Sequence, residues 1–262
     1  MSDKDLRILL STKGHPYERQ PFYDVFDDME GVDWTHVEQP ASQALMTVEQ
    51  AAAYDALVLY DMPGIHFDTA PPTITPPTEA FKNNFLELVE AGHGFVFLHH
   101  ALAGWQDWDT YAEIMGGRFL YLPRTVRGKD CQDSGYRHDV THQVSKLADH
   151  PVTKGIPDSF DITDELYLCE VFEDEVTPLL HSDYAFQAEN FYSASAAVCD
   201  GRMNDNAGWK HTKGSALVGW SKEVGKSRIV YLQFGDGPSA YGNPHYRRLV
   251  CNAIHWVAQS RS

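Results

Sequence analysis

Basic residues are scarce in this chain. Across 262 residues, 21 lysines and arginines stand against 37 aspartates and glutamates, a formal net charge of -16. Such a surface repels phosphate backbones, so a nucleic-acid partner is not expected. Arg124, Arg127 and Lys129 make only a small basic patch. Long apolar runs are missing too. Stretches such as Phe95 to Leu98 fall far below the roughly 20 residues of a membrane span, and a membrane partner is not expected. The four cysteines, Cys131, Cys169, Cys199 and Cys251, include no C-x-x-C pair, which argues against a disulfide scaffold or a thiolate zinc site. Met-Ser-Asp-Lys-Asp at the start lacks the apolar core of a secretory signal, so a cytoplasmic location is expected. No nucleotide-cofactor motif, internal repeat or linker stands out.

What is present suits a packed α/β core. Hydrophobic residues make up 43% and aromatics 12% of the chain, far from a disordered composition. Leu6–Leu10 and Ala56–Tyr60 are short apolar runs of the kind buried in parallel strands, and so is Phe95–Leu98. Val32–Val37 reads as another strand. Between them, Phe22, Val25, Phe26 and Met29 recur at helical spacing, with Gly31 as a stop. Thr47 reads as the N-cap of a short helix through Ala53. Thr78 caps an amphipathic helix whose apolar face is Phe81, Phe85, Leu88 and Val89. Residues 61–77, with five prolines, read as loop. Short strands are expected near 118–122, 136–144 and 166–171, and an irregular insert or lid over 184–212. The strand pattern resumes at Ala216–Trp220 and Arg228–Phe234, before a last helix over about 245–258. This alternation predicts one three-layer, doubly wound α/β domain over 1–262, with a mostly parallel sheet.

In such folds ligands bind beyond the carboxyl ends of the strands. That rule selects His15, Asp61, the pair His99 and His100, and Asp236. The histidine pair stands where several α/β enzymes present a nucleophile, yet neither Ser nor Cys is there. One imidazole is then a general base or metal ligand, or both simply hydrogen-bond backbone in a crowded turn. In Asp164-Glu165-Leu-Tyr167, Glu165 suits acid–base work or metal ligation and Tyr167 a sugar hydroxyl. The structural alternative is a backbone-capping carboxylate and a core tyrosine. Trp105, Trp108, Tyr111 and Tyr121 offer faces for sugar C–H bonds, but the spacing of 105, 108 and 111 equally suits a core. His181 faces either cleft or solvent. His150-Pro151 reads as the start of a helical turn. His15, His99, His100, Glu165, His181 and Asp236 are all suitable ligand types for a divalent metal such as zinc or manganese, though no H-E-x-x-H spacing fixes a site.

Gly92-His-Gly-Phe-Val-Phe-Leu-His99-His100-Ala resembles the glycine-rich, histidine-ended strand of the trehalose-utilisation (ThuA-like) family. So do Trp108, Tyr111 and Gly116-Gly117-Arg-Phe119, His150-Pro-Val-Thr-Lys-Gly-Ile156, and Asp164-Glu165-Leu-Tyr167. Gly225-Lys-Ser-Arg228, Phe234-Gly-Asp-Gly-Pro, Tyr241, Asn243-Pro244 and Trp256 complete the match in family order. The resemblance implies a glutamine-amidotransferase-like fold without the nucleophilic cysteine. It also implies sugar catabolism, with oxidised (keto) sugars among the substrates it suggests, by isomerisation, hydration or elimination. One departure stands out: Gly235-Asp236 replaces the family's usual Gly-His. A carboxylate serves there as ligand or base, but not as an imidazolium-type acid at neutral pH. Two classes of function remain: a carbohydrate-active enzyme whose small-molecule substrate meets His99, His100, Glu165 and Asp236, or a sugar-binding or regulatory domain without chemistry. Self-association is left open. Acyl transfer from glutamine is disfavoured, because no cysteine lies at the strand-end turn.

Overall fold

The computed structural model describes residues 5–261. Five strands form a parallel set: β1 (Leu6–Thr12), β2 (Val32–Glu38), β3 (Ala56–Leu59), β4 (Gly94–Leu98) and, late in the chain, Ser227–Leu232. Between the early strands lie α1 (Arg19–Asp27) and α2 (Glu79–Glu90). After β4 come α3 (Asp109–Met115), β5 (Gly135–Lys146), β6 (Ser159–Leu168), β7 (Thr177–Ser182), α4 (Ala194–Asp200), β8 (Leu217–Val224), β9 (Ser227–Leu232) and α5 (Pro244–Ala258). The main sheet runs in the order β6-β5-β7-β8-β9-β4-β3-β1-β2. From β9 to β6 every pairing is antiparallel, so β7 and β6 point with the parallel five while β8 and β5 oppose them.

Strand alternation builds two cores. Ile8, Leu10, Val96 and Leu98 face one way and pack with Phe22, Phe26, Leu249 and Val250 of α1 and α5. Leu9, Leu57, Phe95 and Phe97 face the other way and meet Phe81, Phe85 and Tyr111 of α2 and α3. β3 and β4 are fully buried on both faces, which is why they read as continuous apolar runs. Each fully buried Leu or Phe contributes about 1.5–3 kcal/mol.

The expected caps are in place. Thr78 Oγ1 accepts from Phe81 N and Thr47 Oγ1 from Gln50 N. The helix that Thr47 caps is a single turn, Val48–Ala51. α1 stops at Asp27, four residues short of Gly31, whose positive φ of 77° instead turns the chain into β2. His150 caps a short turn by accepting from Val152 N, with Pro151 at its first position.

The middle of the chain is more regular than its sequence suggests. The strand expected near 118–122 is the two-residue Gly117–Arg118, and β6 occupies 159–168 rather than 166–171. Asp164–Tyr167 therefore lies wholly inside a strand. Residues 184–212 contain α4 and a short strand, Tyr192–Ser193, that pairs with β5. Among the described residues, no helix is long and apolar enough to cross a membrane.

Candidate functional site

β1, β4 and β9 end on one edge of the sheet, and the chain beyond each delivers a titratable side chain. β4 runs straight into a turn in which His99 adopts φ 38°. A positive φ in a non-glycine residue is uncommon and is held only when its surroundings enforce it. Here His99 Nδ1 donates to the Gln233 carbonyl, Tyr231 Oη donates to the His99 carbonyl at 3.2 Å, and the Tyr167 ring stacks on the imidazole at 4.5 Å. After β1, Gly14 has φ 105°, and a Cβ there would lie 2.2 Å from the Met62 carbonyl oxygen. Only glycine fits, and it brings His15 over the His100 ring at 4.2 Å between centroids. After β9, Asp164 accepts from the backbone N–H groups of Gly235 (2.6 Å) and Asp236 (3.1 Å), which fixes the turn that presents the Asp236 carboxylate.

β6 adds Glu165, and β5 adds a residue the sequence did not single out. The β5–β6 register runs Arg137↔Leu166 and then Val140↔Asp164, so His138 and Asp139 together oppose Glu165. This is a β-bulge, with Asp139 at φ 54°. It brings His138 Nδ1 to 3.1 Å from Glu165 Oε1. Glu165 Oε2 lies 3.0 Å from His99 Nε2, which is also 2.7 Å from Tyr167 Oη. The buried Glu165 carboxylate thus bridges a buried imidazole below and a half-exposed one above.

Protonation states follow from the partners. His99 Nδ1 faces a carbonyl, which only accepts, so it carries a proton. Nε2 faces Glu165 and, at 3.6 Å, Asp236. Burial pushes the His99 pKa down, but hydrogen bonding and charge from Asp236 and Glu165 outweigh it and raise the pKa well above its ordinary value. His99 is therefore an imidazolium. For Asp236, burial pushes up, yet His100 and His99 together pull the carboxyl well below the usual range. Burial pushes His100 well down, to the neutral form. Burial also lifts Asp164 to about 7, against the pull of His99 and the Gly235 N–H. His100 is 1% exposed, and neither of its ring nitrogens has a hydrogen-bond partner among the described residues. Asp236 Oδ1, 3.5 Å from Nε2, is too far for a good bond. A buried polar group left so costs about 1–3 kcal/mol.

Two adjoining cavities open on this cluster. One, of about 460 Å³, is lined by His15, His138, Asp164, Glu165, Asp236 and Ser239 among others. The other, of about 370 Å³, shares His15, His138 and Glu165 and adds an apolar wall of Phe67, Phe119, Tyr121, Tyr167 and Met203. Ala194, Ala197 and Val198 of α4 close that wall, so part of 184–212 faces the cavity.

Not every candidate reaches it. His99 and His100 lie beneath the lining residues. Trp108 and Tyr111 pack against Phe85 at 5.6 and 5.8 Å and line neither cavity; their helical spacing serves the core. Trp105 does the same against Phe81. Asp61 is buried, accepts from Ser11 Oγ at 2.7 Å and from Gln39, and ties β1 to β3. His181 is exposed on β7, paired with Ser145, and lines neither cavity. Arg124 and Arg127 are spent on ion pairs with Asp107, Asp109, Glu113, Asp174 and Glu175. All four cysteines are free, and none stands in the His99 turn. His138 escaped the sequence reading because the bulge exists only in the pairing of β5 with β6. The one local signal is a His-Asp pair interrupting the alternation of a predicted strand.

A model of the trehalose-utilisation family, ThuA, matches residues 7–257. The chain belongs to this family. Two solved ThuA-like proteins share its fold. The one from Parabacteroides merdae has a TM-score of 0.68 at 18% identity, covering 97% of this chain and 90% of its own. The one from Bacteroides uniformis has a TM-score of 0.67 at 17% identity, covering 97% and 91%. A cytoplasmic protein of Salmonella typhimurium LT2 is similar at a TM-score of 0.56 and 13% identity, over 96% and 99%. The chain matches none of the curated proteins with which it was compared. Of the motif residues quoted above, Phe119, Asp164, Glu165, Tyr167, Gly237 and Pro238 line one cavity or the other, as does Asp236, which stands where the family usually has histidine.

Proposed function

We propose that this ThuA-family protein is an acid–base enzyme acting on a sugar or keto-sugar, with Glu165 as the proton-transferring group. The observation that carries the reading is the Glu165 carboxylate at the cavity wall, held at 3.0 Å by His99 and at 3.1 Å by His138. His99 is a positioning residue: its protonated ring orients Glu165 from below and supplies the compensating charge. Glu165 removes a proton from a carbon next to a carbonyl. His138, half-exposed on the bulge, gives a proton to the carbonyl oxygen, and an enediol forms. In an isomerisation Glu165 returns its proton to the neighbouring carbon while the enediol's other hydroxyl gives its proton back to His138; in an elimination that hydroxyl likewise gives up its proton to His138, and the group leaving the β carbon departs with the proton from Glu165, as water where it is a hydroxyl. The polar cavity suits hydroxyls, and the Tyr121–Tyr167–Phe119 wall suits the C–H face of a second ring. The family's description, trehalose utilisation, supports a carbohydrate. Four free cysteines support a cytoplasmic setting.

The test is a panel of disaccharides, trehalose included, with their keto derivatives, assayed for binding by calorimetry and for product by NMR. Turnover of one of them by the wild type is expected. Saturable binding with no product from any compound would establish the non-catalytic alternative instead.

A further inference from the structure

Beneath the proton-transfer site is a second cluster that the reaction above does not use. His15, His100 and Asp236 each offer one donor atom, and these atoms all lie within 4.8 Å of one another. We propose that this triad binds one divalent transition-metal ion, of the zinc class, on the cavity wall beside Glu165. The proposal goes beyond the acid–base reading and does not depend on it.

Three independent features point to an ion. First, His100 is 1% exposed and neither nitrogen has a hydrogen-bond partner among the described residues, although buried polar groups are almost always satisfied. A metal ion in the triad would satisfy one of the two nitrogens. Second, His15 Nδ1 lies 2.9 Å from the Pro16 carbonyl oxygen, which can only accept. The proton is therefore on Nδ1, and Nε2 presents its lone pair. Metal-ligating histidines are held in this way by a carbonyl on the far nitrogen. Third, two imidazoles and a carboxylate form a donor set suited to zinc and its first-row neighbours, with coordination left open. The open side faces the cavity that His15 and Asp236 line together with Glu165.

A rival triad, His99, Glu165 and Asp236, has donors equally close. It is the weaker site, because both nitrogens of His99 are already committed. Nδ1 is bonded to the Gln233 carbonyl, and Nε2 lies 2.7 Å from Tyr167 Oη and 3.0 Å from Glu165.

The experiment uses the full chain, stripped with chelator and titrated with zinc by calorimetry. Metal content after dialysis and the visible spectrum of the cobalt(II) form are read alongside, and circular dichroism checks each variant's fold. The expected result is one zinc per chain and a low-coordinate cobalt spectrum. Affinity falls at least tenfold in His15→Ala and in Asp236→Ala, and stays within threefold of wild type in Glu165→Gln. His15 is only half-buried, so His15→Ala decides the matter where Asp236→Ala does not fold. Failure of the wild type to bind stoichiometric zinc overturns the proposal, and so does unchanged affinity in His15→Ala. In the latter case, a loss confined to Glu165→Gln and Asp236→Ala would move the ion to the His99 triad.

Discussion

His142 should make the protein's stability fall between neutral and mildly acidic pH. It lies on β5, 4% exposed, with Nδ1 2.8 Å from Ser182 Oγ and no partner for Nε2 among the described residues. Burial holds its pKa at about 4, below the ordinary 6.5, while Asp183 and Asp161 pull weakly the other way. In the unfolded chain the ring takes up a proton near pH 6.5; in the folded chain it does so only near pH 4. Its contribution is therefore present above pH 6.5 and is lost as the pH falls toward 4. The whole effect is about 3 kcal/mol, of which about 2 kcal/mol disappears between pH 7 and pH 5. The assay is urea denaturation of wild type and His142→Phe at both pH values. The variant carries no titrating ring and keeps an apolar side chain against Phe234, whose ring lies 6.2 Å away. Whatever the other histidines contribute cancels in the comparison. The variant should lose about 2 kcal/mol less than wild type on acidification. An equal loss in the two proteins would refute the reasoning.

Three further outcomes are expected. Asp164→Ala strands the Gly235 and Asp236 N–H groups and should cost about 2–4 kcal/mol by chemical denaturation; a cost under about 1 kcal/mol would mean that Asp164 does not hold the turn. Gly235→Ala places a Cβ at φ 113° and 2.5 Å from Tyr246 Oη, so it should destabilise by at least about 1–3 kcal/mol, and the double variant with Tyr246→Phe should recover only the part due to crowding. Phe85→Ala empties a fully buried site between Phe95, Trp108 and Tyr111 and should cost about 3–5 kcal/mol, read from the same transitions.

The parallel half of the sheet was legible because its inner strands are buried on both faces. Leu6–Leu10 and Phe95–Leu98 carry that fact in their composition, and Thr78 announces α2 through a local hydrogen bond to Phe81 N. The antiparallel half was harder. β5 and β6 are long strands with mixed burial, and a strand such as Ser159–Leu168 shows its period only once one face is known to be covered. The site divides along the same line. His15, His99 and Asp236 follow strands whose ends the sequence reveals, so the rule about carboxyl ends found them. Asp61 obeys the same rule but is consumed by Ser11 and Gln39, because a strand-end carboxylate can tie two strands as readily as it can meet a ligand. His138 depends on which residues β5 and β6 place opposite each other, a long-range fact. The depth of His99 is likewise tertiary: Gln233 on one side, and Tyr167 and Glu165 of β6 on the other, enclose it from two distant parts of the chain.

In the proposed reaction Glu165 is the group that moves the proton. The most direct measurement is deuterium incorporation from D2O into a bound keto-sugar, followed by NMR with wild type and Glu165→Gln. The amide keeps the size of the side chain and can still bond to His138, but it cannot take up a proton at neutral pH. General acid–base groups typically contribute about 10²–10⁴-fold, so exchange at the carbon next to the carbonyl should fall by at least a hundredfold while binding persists. Exchange at the wild-type rate in Glu165→Gln would contradict the account.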